Sequence, residues 1–302
     1  MPPADNRRGI LAMLAAMFCF ITNDTLLKLA SASYPPGQIM AFRGALASAL
    51  ALAIVASLGQ LRQLGALASP FVLVRAGLES GVAFLFITSL ARLPIANVTA
   101  ITQSTPILMT LMTVVLGIER VRWRRWSAIL VGFAGVLLIV KPTPAGFNLY
   151  ALIALAAAAL VAARDLATRF IGEEVPSPVV TFSTTASVCL AGLVAGMGEG
   201  WQPLGREALF LVGAAVLVTL GNLAIIVAFR NTEVSVVSPF RYSVILLAIL
   251  SGFLVFGELP DAAAIAGIAL VVGSGIYTIH REQVRLREAA HGATRAAVRE
   301  AA

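Results

Sequence analysis

Seven ionisable side chains interrupt long apolar runs of this 302-residue chain: Asp24, Arg43, Arg75, Glu79, Arg164, Asp165 and Arg241. A charge at bilayer depth costs about 2.5–3.5 kcal/mol even on the gentler scales, so each needs a partner or a task. Position suggests pairs. Asp24 and Arg43 lie about six or seven residues from the same edge of the first two runs. Asp165 and Arg241 lie about six residues from the opposite edge of the sixth and ninth, with Arg164 beside Asp165. Arg75 and Glu79 are four apart, one turn along one helix face. Two pairs are therefore expected: an outer one, Asp24 with Arg43, and an inner one, Asp165 with Arg241 or Arg164. They would gate the two mouths of one pathway, or equally hold helices in register as static ion pairs.

Neutral polar groups accompany the charges. Thr99, Thr102, Pro106, Thr110 and Thr113 recur at three- and four-residue steps, with Gln103 beside them. That spacing makes a polar stripe on one helix face. It would line a pathway, with Pro106 freeing a backbone carbonyl for a ligand, or would bond helices together. Asn23 and Asn222 are further polar groups at depth. Ser80, Phe84 and Thr88 follow one another at four-residue steps beside Glu79, and Tyr242 follows Arg241. An aromatic ring beside a few polar groups would suit an amphipathic metabolite. No metal-ligand spacing, nucleophile elbow or phosphate-cradling glycine loop occurs, so no catalytic residue and no cofactor is expected, and ATP is not the direct energy source. Both histidines fall at or beyond the last apolar run. Cys19 and Cys189 lie far apart inside apolar runs and read as small buried hydrophobes.

The elements that carry these groups are dictated by composition. Hydrophobic residues make up 59% of the chain and charged residues 12%. That is about half the charge of a soluble domain, too little to cover a water-facing surface. Ten runs are long enough for membrane helices: 9–30, 36–58, 70–91, 96–117, 124–141, 146–171, 177–198, 206–230, 235–257 and 261–280. Pro, Gly and charge clusters separate them. Arg7-Arg8 ahead of the first run imitates a signal peptide, but no cleavage site follows at the right distance, and the run is read as a retained helix.

Orientation follows from the basic residues. Placing the N-terminus inside puts fourteen of them in inner loops and tails and four (Lys28, Arg92, Lys141 and Arg206) outside. The positive-inside rule then places both termini in the cytoplasm. The net charge of +7 points to anionic lipid headgroups, not to nucleic acid. Trp123, Trp126 and Trp201 at run ends read as interfacial anchors, and residues 281–302 as a basic cytoplasmic tail.

The two halves, 9–141 and 146–280, repeat one another. Leu93 to Thr99 with Leu116-Gly117-Ile118-Glu119 is matched by Thr232 to Ser238 with Phe256-Gly257-Glu258. Asn23-Asp24 through Lys28 is matched by Arg164-Asp165 through Arg169. Each half holds five runs, an odd number, so the second copy must enter the membrane from the opposite side. Inverted repeats of this kind recur in secondary transporters, with the substrate site between the halves.

These segments resemble the drug/metabolite transporter superfamily in its ten-helix EamA-like branch. The stretch Ala91 to Thr99 with Pro106, the Gly-Glu closing each fourth helix, Gly132 and Gly135 with Gly267 to Gly273, and Arg43 in Ala41-Phe42-Arg43 carry the likeness from about residue 10 to 280. The second half lacks the second-helix Arg and the counterpart of Pro106. The resemblance implies export of small metabolites by alternating access, amino acids prominent among them; the aromatic amino acid exporters are similar in length. A multidrug or other metabolite permease is the alternative within the class, and an intramembrane lipid-modifying enzyme the alternative outside it. The expected location is the bacterial inner membrane, with lipids and a small solute as partners and no obligate protein partner.

Overall fold

The computed structural model describes residues 6–117, 123–140, 148–168, 170–172, 175–229, 237–278, 280 and 284. Glu119, Lys141, Arg169 and, apart from residue 284, the basic tail lie outside the described residues. Among the described residues, all regular secondary structure is helical: α1 (Asn6–Ala30), α2 (Pro36–Ser57), α3 (Pro70–Leu90), α4 (Ile95–Thr102), α5 (Thr105–Val115), α6 (Trp123–Val140), α7 (Leu149–Thr168), α8 (Ser177–Gly196), α9 (Ala208–Phe229), α10 (Ser243–Phe256) and α11 (Ala262–Thr278). Among the described residues, eight stretches are long and apolar enough to cross a membrane, and Trp126–Val140 and Ala262–Thr278 are shorter apolar helices.

Local chemistry sets the boundaries. Prolines occupy the first turns of α2, α3, α5 and α8, where the missing N–H would have had no partner. Gly117 and Gly257 stop the fourth helix of each half at φ 71° and 67°, a left-handed stop that glycine adopts without strain. The Gly of each Gly-Glu motif is thereby explained.

One predicted run is broken. The stretch Ile95–Val115 bends at Gln103-Ser104, between α4 and α5. Pro106 cannot bond to the Thr102 carbonyl four residues back; the Thr105 hydroxyl donates to that carbonyl at 2.6 Å. The freed carbonyl is thus capped by the chain itself, contrary to the expectation that it serves a ligand. A 3-10 helix, Ser238–Tyr242, starts with Pro239 in its first turn and precedes α10.

Side chains sort by depth of burial. Leu130, Leu209 and Leu246 are 65–70% exposed, an outward apolar surface suited to lipid. Inward, α7 presents Ala151, Ala154, Ala157, Ala158 and Ala162 at full burial, a small-residue face that admits α3 and α5. The most extensive packing joins α2 to α8, α1 to α9 and α3 to α7. Helices α2 and α8 approach backbone to backbone: a Cβ on Gly44 would lie 2.7 Å from the Cys189 nitrogen. Gly135 of α6 and Gly267 of α11 make a second such crossing, where a Cβ on either would meet the other's carbonyl within 2.7 Å. Hydroxyl bonds cross-link the bundle at Thr25–Ser251 (2.6 Å) and Ser80–Ser187 (2.8 Å).

Candidate functional site

Call the edge of the bundle where α1 begins the near end, and the edge where it stops the far end. A cavity of about 410 Å³ lies between α2, α3, α7, α8 and α9. It runs from Ile54, Arg75 and Ser177 at the near end to Arg43, Ala83 and Val188 at mid-depth. Its walls are small and apolar on α2 and hydroxylic on α8, where Thr181, Thr184 and Thr185 join Asn222 of α9. Hydrogen bonds cross the far end. Gln38 and Gln202 exchange two bonds, side chain to backbone in both directions (2.7 and 2.9 Å). The Gly37 amide donates to Glu199 Oε2 at 2.8 Å and the Gly205 amide to Tyr34 Oη at 2.9 Å. Trp201 donates its ring N–H to the Gly196 carbonyl at 2.8 Å and rests against Phe42.

Charges ring the cavity. Arg164 Nη1 bonds Glu79 Oε2 at 2.7 Å, and its Nε and Nη2 bond Asp165 Oδ1 at 2.9 and 2.7 Å. Arg75 Nε donates to Thr168 Oγ1 at 2.9 Å, and its Nη1 is buried without a partner. Arg43 lines the cavity and has no hydrogen-bond or ion-pair partner among the described residues.

A second, smaller cavity of about 150 Å³ is bounded by Asp24, Thr99, Thr102, Gln103 and Arg241, among others, and shares Ile225 with the first.

Measured against expectation, the structure regroups the charges. Of the two partners expected for Asp165 the structure takes Arg164; Arg241 instead bounds the smaller cavity together with Asp24. Asp24 and Arg43 act on one another electrostatically but form no direct ion pair. Glu79 is held by Arg164 instead of by Arg75 on its own helix, because α7 packs on α3 and a guanidinium reaching across satisfies two carboxylates at once.

The polar stripe also divides. Thr99, Thr102 and Gln103 face the smaller cavity. Thr110 and Thr113 are buried and donate to the Pro106 and Thr110 carbonyls of their own helix. Asn222 lines the larger cavity; Asn23 is buried and donates to Asp24 at 2.8 Å. Ser80 is spent on Ser187, Phe84 turns outward at 37% exposure, and Thr88 donates to the Phe84 carbonyl. None of these three bounds either cavity, because Arg75, Glu79 and Ala83 supply the α3 face that does. Tyr242 is buried with its phenol against the Gly275 backbone.

Two features escape a residue-by-residue reading. The hydroxyl set on α8, at i, i+3 and i+4, has the same spacing as the α4 stripe and was legible by the same rule. The other is a clamp at the far end. Lys28 Nζ bonds both Glu258 oxygens at 2.7 and 2.9 Å and the Leu93 carbonyl at 2.7 Å, and lies 4.9 Å from the Phe256 ring centroid. The Ile95 amide donates to Glu258 Oε2 at 3.3 Å. The Glu of the Gly-Glu motif therefore ties α1, the start of α4 and the end of α10. Replacing Lys28 by Met leaves that carboxylate unpaired, an expected loss of about 1–3 kcal/mol. The check is thermal unfolding in detergent, with Lys28→Met/Glu258→Gln expected to recover part of the loss.

The model of the EamA-like transporter family matches twice, over residues 7–141 and 148–279. The chain belongs to the EamA-like transporter family. It is 27% identical to the pseudopaline exporter CntI of Pseudomonas aeruginosa, over 88% of this chain and 94% of the relative. It is 27% identical to the riboflavin transporter of Vibrio cholerae, over 93% and 95%. It is 24% identical to the S-adenosylmethionine uptake transporter of Rickettsia prowazekii, over 91% and 93%. A crystal structure at 22% sequence identity superposes with a TM-score of 0.61, covering 91% of this chain and 98% of its own; it shares the fold. This family member is a multi-pass membrane transporter of small metabolites, not an enzyme.

Proposed function

We propose that this transporter exports a small amphipathic metabolite bearing a carboxylate, an amino acid being the simplest such solute, across the bacterial inner membrane. The observation that carries the reading is Arg43: a guanidinium at mid-depth, facing a cavity, with no direct hydrogen-bond or ion-pair contact among the described residues, Asp24 and Glu79 acting on it only at longer range. Arginine offers a fork of donors that matches a carboxylate, and an unpaired charge at that depth is relieved by an incoming anion. The small apolar walls and the α8 hydroxyls suit the rest of such a molecule. Phe84 faces outward, so the reading carries no preference for aromatic side chains.

Transport direction and mechanism follow from the cavity and the repeat. With the positive-inside orientation the near end is cytoplasmic, and both termini lie there. The cavity then opens inward while the Gln38–Gln202 seal closes the outside, a state ready to load solute from the cytoplasm. The second half-bundle, read as an inverted copy of the first, would rock against it to reverse the access.

The test is counterflow in proteoliposomes across a panel of amino acids, simple monocarboxylates, uncharged solutes and lipophilic cations. Carboxylate-bearing solutes are expected to exchange, and Arg43→Gln to lower their exchange at least about tenfold while the protein stays monodisperse. Exchange of lipophilic cations with none of carboxylates would instead indicate a multidrug permease and refute the reading. Resistance of expressing cells to toxic amino acid analogues checks the direction; sensitisation would reverse it.

A further inference from the structure

We infer that the smaller cavity receives the ammonium group of the solute whose carboxylate Arg43 holds, so that the transporter is built for zwitterions of the amino acid kind; this rests on the reading of Arg43 above. The cavity is an acceptor site. Asp24 presents a carboxylate that takes one hydrogen bond, from Asn23 Nδ2 at 2.8 Å, and no ion pair. Thr99 is only 5% exposed, bounds the cavity, and its hydroxyl has no partner. The Asn23 side-chain oxygen, beside Asp24, is likewise buried and unpartnered. A buried polar atom without a partner costs about 1–3 kcal/mol, so these oxygens point to a donor missing from the chain itself.

The helix break brings polar side chains to the cavity. Helix α4 ends at Thr102, and Thr99, Thr102 and Gln103 of its last turn all border the cavity. The Thr102 carbonyl at that end is taken by the Thr105 hydroxyl, so side-chain oxygens, not the backbone, are the acceptors offered to a cation. Carboxylate, hydroxyl and amide oxygens match the three N–H donors of a primary ammonium. Arg241 bounds the cavity too, yet makes no ion pair with Asp24, which leaves the carboxylate open. The volume of about 150 Å³ exceeds what a bare ion fills, and Ile225 borders both cavities, so a solute held by both charges would lie across that side chain.

The test measures competition for counterflow by leucine, phenylalanine and methionine, each against its deamino analogue: 4-methylpentanoate, 3-phenylpropanoate and 4-(methylthio)butanoate. The wild type is expected to bind each amino acid at least about tenfold more tightly than its analogue. Asp24→Asn is expected to bring that ratio near one by weakening the amino acid alone, and Thr99→Val to lower it partway. Arg43→Gln is expected to weaken both members of each pair. Because the readout is a ratio within one preparation, loss of active protein does not mimic it. A wild-type ratio near one, a ratio unchanged by Asp24→Asn, or an Asp24→Asn variant that loses the deamino analogues equally would overturn the inference and leave the Arg43 reading standing. Failure of all six compounds to compete would sink the Arg43 reading itself.

Discussion

Gly192→Val is expected to open the far-end seal and to lower stability by about 1–3 kcal/mol, the range for an overpacked interface. A Cβ at this position would press on the Ala41 amide nitrogen and stand 2.7 Å from Met40 Cβ and 2.8 Å from the Gly37 carbonyl oxygen. Two of these neighbours are backbone atoms and cannot rotate away. The helices must separate, and the bonds just beyond, from Gly37 to Glu199 and Gln38 to Gln202, depend on their closeness. Labelling of a cysteine placed at Ala47, on the cavity wall, by an impermeant reagent added at the far side, compared with and without Gly192→Val, checks the seal; detergent melting checks stability. Gly77→Ala is the control. It faces open space in mid-helix, and alanine there is expected to be neutral or to gain up to about 1 kcal/mol. Equal labelling in both backgrounds would show that the α2–α8 approach does not hold the seal.

Arg164→Met is the second large effect. One guanidinium serves Glu79 and Asp165, and its removal leaves two carboxylates facing one another in an apolar bundle. Breaking a fully buried pair costs about 3–5 kcal/mol. These three side chains are 19%, 28% and 34% exposed, so water at the cavity mouth screens them, and about 2 kcal/mol is expected. The triple variant with Glu79→Gln and Asp165→Asn should recover most of that loss in thermal unfolding, because the uncompensated charge is what destabilises. If the triple variant melts no higher than Arg164→Met, packing by the arginine stem, and not charge, is what matters.

Much of the architecture was legible because a membrane imposes a simple rule. Backbone groups in hydrocarbon must be satisfied internally, so an apolar run bounded by Pro, Gly or charge reads as a helix, and the run from Pro36 to Ser57 could hardly be anything else. The glycines were legible as small residues, though not their partners: Gly135 finds Gly267 and Gly44 finds Cys189 only once α6 meets α11 and α2 meets α8. The charged residues were recognisable one by one through the penalty for their depth.

How those charges pair was beyond the chain's linear order. Depth along a helix says how far a group stands from an edge; it does not say which way around the axis the group points or which helix stands opposite. Asp24 and Arg43 share a depth and still do not touch, while Arg164 reaches across to Glu79 and sideways to Asp165. Lys28 resembled a loop cation until folding set it against Glu258, 230 residues away. Sequence by itself determined that this chain enters a membrane, where most of its helices start and stop, and which polar groups need a partner or a task within it. Tertiary structure alone decided which of those groups cancel each other and which, Arg43 and Asp24 above all, are left facing empty space, because that depends on rotation and neighbour choice among helices that are all alike in hydrophobicity.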